Sequence, residues 1–569
     1  MPEADAAAGF SGWNGTMAVV IGDTPLTRHE VVQVARFDAP VALSEAALAR
    51  IDQARDVIDS LAADERPHYG ISTGFGALAN TAIAPGDRTR LQQSLIRSHA
   101  ASSGEEVERE VVRGLMLLRL QTLASGRTGV RRATAELYAG MLNAGIHPVI
   151  GEYGSLGCSG DLAPLSHIAL AAMGEGVVRM DVRRADDAAT ARHGTPLAET
   201  TELLDAGEAL QRAGLTPVVL AEKEGLALVN GTDGMLAMLC LALADLDKLL
   251  DTADLTAAMS VEGLLGTDAP FAADLMALRP HPGQAASAAN IAALLADSPI
   301  VASHKGPEDT RVQDAYSLRC APQVHGTARD TAAHAARVAE IELASAIDNP
   351  VVLSDGRVVS NGNFHGAPVA AVLDFLAIAI ADVASMSERR SDRFLDSARS
   401  YGLPPFLADD PGVDSGLMIA QYTQAGIVSE LKRLAAPASV DSIPSSAMQE
   451  DHVSMGWGAA RKLRRAVDGL GRVLAIELMT AARGIELRDD APGPRTGRVI
   501  EQLRHLVPGV GPDRFLARDI EASVAFTVGG GALIAAGLLE TMEAWAPRRE
   551  YTYSAETTTF STPSTEGDQ

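Results

Sequence analysis

In the segment 455–478, MGWGAARKLRRAVDGLGRVLAIEL, apolar residues recur at Leu463, Val467, Leu470, Leu474 and Leu478, spaced four, three, four and four. That spacing predicts one apolar face of an α-helix, with Arg461, Lys462, Arg464 and Arg465 on its other faces. The stretch 368–385, PVAAVLDFLAIAIADVAS, is apolar almost all round, with only Asp374 and Asp382 charged. Such a helix is expected inside a bundle. The stretch 233–250, DGMLAMLCLALADLDKLL, reads the same way. Short β-prone pieces stand at 17–21 and 350–359, the second around a turn at Ser354-Asp355-Gly356.

One further stretch, 522–539, is uncharged for 18 residues, the lower edge of membrane-spanning length. Gly529-Gly530-Gly531 interrupts it and Ser523 and Thr527 dilute it, so a buried helix with a glycine break is expected. The tail 547–569, rich in Thr, Ser and Glu, is expected to be disordered, and 185–200 to be an exposed excursion. No repeat of fixed period is present. The expected fold class is mainly α: a long-helix bundle core with a smaller mixed N-terminal region. The expected division is 1–220, then a central bundle over 221–520, then a C-terminal helix and tail over 521–569.

Composition narrows the partners. Of 569 residues 47% are hydrophobic but only 4% aromatic, so Ala, Leu and Val must fill the core. A net charge of -25 argues against a nucleic-acid partner, which calls for a basic footprint. Cys158, Cys240 and Cys320 are too few for a disulfide framework and point to a reducing compartment. The opening MPEADAAAGFSGWNG lacks the basic-then-apolar order of a signal peptide. A cytoplasmic protein with no membrane partner is expected. His325 and His334 are nine apart, and His365 and His452 are isolated, so no metal is expected.

The chemistry concentrates in GSLGCSGDLAPLSH, 154–167. A glycine amide nitrogen can curl back onto the carbonyl two residues earlier, because glycine has no Cβ to clash. In Cys158-Ser159-Gly160, loss of one water would close a five-membered ring. Loss of a second from the Ser159 side chain would leave an exocyclic methylidene. Spacing alone allows an ordinary turn in which Asp161 caps the following helix. A hydrolase elbow, G-x-S-x-G, fails because Asp161 stands where its second glycine belongs.

The stretch resembles the signature of the aromatic amino acid ammonia-lyase and aminomutase family, whose cofactor is this 4-methylidene-imidazol-5-one ring. The likeness extends over roughly 24–518 through YGISTGFG (69–76), GLALVNGT (225–232), VQDAYSLRC (312–320), IDNP (347–350), SNGNFHG (360–366) and MQEDHVSMGWGAARKL (448–463). Cys158 stands where the family usually has alanine. Ring closure uses only that residue's carbonyl. The resemblance implies the ammonia-lyase, fumarase/aspartase-like fold and a homotetramer with shared active sites.

It also implies roles. Tyr69 matches the tyrosine that takes the β-proton, and its glycine-rich loop would serve as a lid. Arg319 would hold the substrate carboxylate with its planar fork. Tyr316, three residues earlier on the same helix face, would sit beside the ring. Asn230 and Gln313 would hold the ring and the amine, and Phe364 would pack on the ring. At the two places that read the substrate side chain, Ser98-His99 and Gln449-Glu450 resemble the histidine-specific members. A buried imidazole needs polar partners, and Glu450 can accept its N–H. The expected reaction is L-histidine to trans-urocanate and ammonia. A tyrosine or phenylalanine lyase, or a 2,3-aminomutase, is the alternative within the family. A non-catalytic helical oligomer is the alternative outside it.

Overall fold

The computed structural model describes residues 18–64, 66–74, 81–157, 159–182, 201–306 and 312–539. Cys158, most of the 185–200 excursion's surroundings and all of it, the loop positions 75–80 and the 547–569 tail lie outside the described residues.

Long helices dominate. Asp233–Gly263, Ala321–Leu343, Ala367–Leu395, Met418–Leu434 and Gly456–Glu486 pack side by side. Leu463, Val467, Leu470, Leu474 and Leu478 are all buried, as their spacing requires. The cations between them sit at the margin of the core and are paired. Arg464 meets Asp245 at 3.0 Å, Arg465 meets Glu152 at 2.7 Å, Arg461 meets Glu108 and Lys462 meets Asp374. The helix Ala367–Leu395 is long and apolar enough to cross a membrane, but most of its apolar window is buried against its neighbours. It is a core helix, with Asp374 neutralised by Lys462 and accepting the Ser439 N–H at 2.7 Å.

One apolar cluster runs from Val19 to Leu474 and so takes residues from both sides of position 220. A second gathers Leu255 to Ala536 around the other end of the long helices. The small sheets lie mostly in the N-terminal part. Val19–Ile21 pairs in parallel with Val41–Leu43. Val177–Asp181 lies between Ile146–Pro148 and Thr201–Asp205, antiparallel to both. The hairpin at 351–359 forms as expected, Val351–Val352 against Val358–Val359.

The glycine break also forms: Leu516–Val528 stops, Gly530 takes φ 84°, and Gly531–Ala536 begins anew. The burial differs from expectation. Leu516–Val528 turns Asp519, Ser523 and Thr527 inward, one residue per turn. Leu516, Ile520, Ala522, Val524 and Phe526 stay half-buried, and Val528 is 41% exposed.

Candidate active site

The loop 154–161 leads into the helix Leu162–Ala172. Gly160 has φ +95°, a backbone region that favours glycine. It pairs in parallel with Gly231, and a Cβ there would collide with the Gly231 backbone. Asp161 does not cap its own helix. One carboxylate oxygen accepts the N–H groups of Gly234 at 2.9 Å and Met235 at 3.0 Å, the start of the helix Asp233–Gly263. The other accepts the Ser155 hydroxyl at 2.8 Å. The cap that spacing allowed within one segment thus joins two, satisfying orphan N–H groups at the start of a second helix. Burial pushes the Asp161 carboxyl up to about 7, against the pull of those donors.

A cavity of about 440 Å³ opens beside this loop, and Tyr69, Ser98, His99, Ser159, Asn230 and Glu450 line it. They arrive from five different pieces of chain. Tyr69 is half-buried against the core, and at the next residue, Gly70 (φ +73°), a Cβ would meet Leu226 Cδ1 at 2.5 Å. Ser98 and His99 form the last turn of the helix Arg88–His99. The Ser98 hydroxyl donates to the Leu95 carbonyl at 3.0 Å and lies 3.0 Å from His99 Nδ1. Burial holds the His99 ring below the usual imidazole range, while the Leu95 carbonyl and the charge of Glu450 pull it back up.

Glu450 closes a tight turn. Ser445 N–H donates to the Glu450 carbonyl at 2.7 Å, and Ser446, Ala447 and Met448 between them all have left-handed φ of 49°, 51° and 70°. Three such residues in a row are costly for side chains with a Cβ, and runs of this kind concentrate at functional sites. The turn presents the carboxylate. Oε2 accepts the Ser445 hydroxyl at 3.0 Å, and Oε1 lies 3.4 Å from the Ser159 hydroxyl, 291 positions away in sequence.

Asn230 is fixed by a polar network. Its Nδ2 donates to the Asn349 carbonyl at 2.8 Å. Asn361 N–H donates to Asn349 Oδ1 at 3.0 Å, and Asn361 Nδ2 to the Asp348 carbonyl at 3.0 Å. Asp348 pairs with Lys223, both fully buried. The motifs GLALVNGT, IDNP and SNGNFHG therefore meet at one point. The fourth, MQEDHVSMGWG, joins the glycine loop directly. The Ser454 hydroxyl donates to the Gly157 carbonyl at 2.8 Å, Met455 N–H to the Leu156 carbonyl at 2.9 Å and Trp457 Nε1 to the Glu152 carbonyl at 2.8 Å.

Gln313, Tyr316, Arg319, Phe364 and Gln449 do not line this cavity. Gln313 and Gln449 are exposed and Tyr316 is 69% exposed. Arg319 does share a face with Tyr316, its guanidinium 4.5 Å over the ring, and donates Nε to the Asp314 carbonyl at 3.0 Å. Phe364 is half-buried. The His365 and His452 rings stack at 5.5 Å.

Sequence reading missed the charges beneath the site: Arg119 paired with Asp233, and Lys223 with Asp348. One signal was available. Arg113 and Arg119 interrupt the otherwise apolar run VVRGLMLLRL, and a charge that a helix must bury demands a partner.

The model of the family described as aromatic amino acid lyase matches residues 26–505. A histidine ammonia-lyase of Streptomyces coelicolor is 62% identical over 520 residues, 91% of this chain and 98% of that one. The crystal structure of histidine ammonia-lyase from Trypanosoma cruzi superposes with a TM-score of 0.80 at 37% identity, covering 94% of this chain and 96% of that one. A tyrosine aminomutase from Streptomyces globisporus gives a TM-score of 0.84 at 34% identity, over 92% and 99%. The chain belongs to the aromatic amino acid lyase family. It is a carbon–nitrogen lyase with the mainly helical ammonia-lyase fold that the apolar pattern and the resemblance predict.

Proposed function

We propose that this lyase converts L-histidine to trans-urocanate and ammonia. The observation that carries the reading is that Ser98-His99 and Glu450, the two places resembling histidine-specific members, meet Ser159 in one cavity. The similarity to histidine ammonia-lyases at 62% identity and below supports the same substrate.

The residues fit a 4-methylidene-imidazol-5-one ring made from Cys158, Ser159 and Gly160. Gly160 holds a left-handed backbone where a Cβ has no room, and the Ser159 side chain faces the cavity. When formed, the ring supplies an electrophile for the substrate's α-amine. Tyr69 removes the β-proton as phenolate. That proton lies beyond any side chain of ordinary pKa, about 4 to 13, acting unaided. The helix Leu162–Ala172 begins just after Ser159, with Leu162 also lining the cavity, and its N-terminal end favours negative charge in the site. Glu450 accepts the imidazole N–H, with Ser98-His99 beside it. A phenyl ring in that place would offer the carboxylate no donor.

Gln313, Tyr316 and Arg319 enter the reading from a neighbouring copy, as the amide, the tyrosine and the carboxylate fork of a homotetramer with shared sites. The exposure of Tyr316, which does not line its own chain's cavity, supports this arrangement. Free Cys240 and Cys320 suit a cytoplasmic enzyme.

Incubating the protein with L-histidine, L-tyrosine and L-phenylalanine separately, and following each product, tests the reading. Urocanate and ammonia from histidine are expected. Cinnamate or coumarate as the main product would refute the substrate, and a β-amino acid product would refute the lyase in favour of an aminomutase.

A further inference from the structure

Behind Gly160 the molecule is backed in layers. Gly160 lies against Gly231, and the Asp161 N–H donates to the Gly231 carbonyl at 2.7 Å. A Cβ on Gly231 would collide in turn with the guanidinium of Arg119. Arg119 comes from the middle of the helix Arg109–Ala124 and is fully buried. Its Nη1 donates to the Ala227 carbonyl at 2.9 Å, in the short helix Glu224–Val229, and its Nη2 binds Asp233, the first residue of Asp233–Gly263. One guanidinium therefore ties the end of one helix to the start of the next. The linker between them, 230–232, carries Asn230 into the cavity and Gly231 against Gly160.

Resting on the ring reading above, we propose that Arg119 and Asp233 are positioning residues for ring closure: their clamp on 230–232 holds Gly160 where its nitrogen can reach the Cys158 carbonyl. In that step the Gly160 nitrogen bonds to the Cys158 carbonyl carbon. The carbonyl oxygen leaves as water with the Gly160 and Ser159 amide hydrogens, and a double bond forms to the Ser159 nitrogen. The second water takes the Ser159 hydroxyl and its Cα hydrogen, leaving the methylidene. No oxidant is needed. An open peptide visits the geometry for this attack rarely, so a fixed backing that holds it acts as an entropy trap. A buried ion pair adds little net stability, but a planar fork bonded to two fixed acceptors defines a position.

The test is the whole-chain mass of freshly folded full-length protein, which reads the fraction lighter by two waters without reference to turnover. Arg119→Lys keeps the charge but cannot span both acceptors, and Asp233→Asn keeps the shape. Glu477→Gln weakens another fully buried pair, Arg390–Glu477, between two bundle helices, and serves as the control for general destabilisation. The cyclised fraction is expected to fall about tenfold in Arg119→Lys, less in Asp233→Asn, and not at all in Glu477→Gln. Thermal midpoints are compared across the set. An Arg119→Lys chain as fully cyclised as wild type overturns the proposal, as does a Glu477→Gln chain that loses as much. If Arg119→Lys does not fold, Asp233→Asn decides by the same criterion. A wild-type chain at full mass refutes the ring reading itself, and this inference with it.

Discussion

The bundle interior and the cavity wall both bury charge, and they use it differently. Between the helices Ala367–Leu395 and Gly456–Glu486, Arg390 and Glu477 form a pair with no exposed surface, and the hydroxyls of Ser260 and Ser387 occupy Glu477 at 2.7 and 2.6 Å. Around the cavity, Arg119–Asp233 and Lys223–Asp348 are buried as deeply, but each holds a loop. In the bundle the apolar faces already fix the helices, so the ion pair adds to an arrangement settled by packing. At the cavity the backbone is irregular, left-handed at Gly157, Gly160, Lys223 and 446–448, with no ladder of its own to specify it. There the polar contacts set the geometry. Damage to the bundle should therefore appear as lost stability, and damage to the cavity as lost chemistry.

The largest effect expected is at Tyr69. Tyr69→Phe should lower kcat by about 10²- to 10⁴-fold, the range of a general base, with the thermal midpoint unchanged. A variant with near-normal kcat would assign the proton transfer elsewhere. Leu470→Ala, on the buried stripe of Gly456–Glu486, should cost about 2–5 kcal/mol in chemical denaturation while kcat and KM stay at wild-type values in the folded enzyme. A kinetic effect as large as the loss of stability would erase the contrast between the regions.

Glu450→Gln should lower kcat/KM for histidine by about 10- to 100-fold, the scale of a charge-assisted hydrogen bond of roughly 1.5–3 kcal/mol, and narrow the preference over phenylalanine. Steady-state kinetics on both amino acids would check it.

The smallest effect concerns pH. Burial lowers the His99 pKa in the fold, so the ring is neutral at pH 7. A depressed histidine contributes stability that is present above its unfolded value, about 6.5, and is lost as pH falls through the folded value. Because Glu450 pulls that value upward, Glu450→Gln should move the His99 titration, followed by imidazole NMR, to lower pH. A shift to higher pH would contradict the assigned coupling.

The bundle was legible because a helix must repeat its apolar side every turn: Leu463 to Leu478 declare their burial unaided, and 368–385, apolar but for Asp374 and Asp382, is mostly buried, with Phe375 and Ile378 left exposed. The glycine-serine loop was legible only through family resemblance, since small-Ser-Gly sequences are common and spacing cannot show that Gly160 meets Gly231. The spacing also allowed Asp161 to cap its own helix, because sequence carries no record of which helix end folds over a loop. The Arg119 charge, inside an apolar helical run, signalled a buried partner, but which partner was unreadable because Asp233 lies 114 positions away. The absence of Arg319 from its own chain's cavity was likewise unreadable, since a motif specifies a residue and not the site it serves.

The central claim is that three residues of the chain become the reagent. The most direct measurement is the mass of the peptide spanning 154–167 from protein that is turning over histidine. The account predicts a value two waters below that of the encoded sequence. An encoded mass in an active preparation would contradict it.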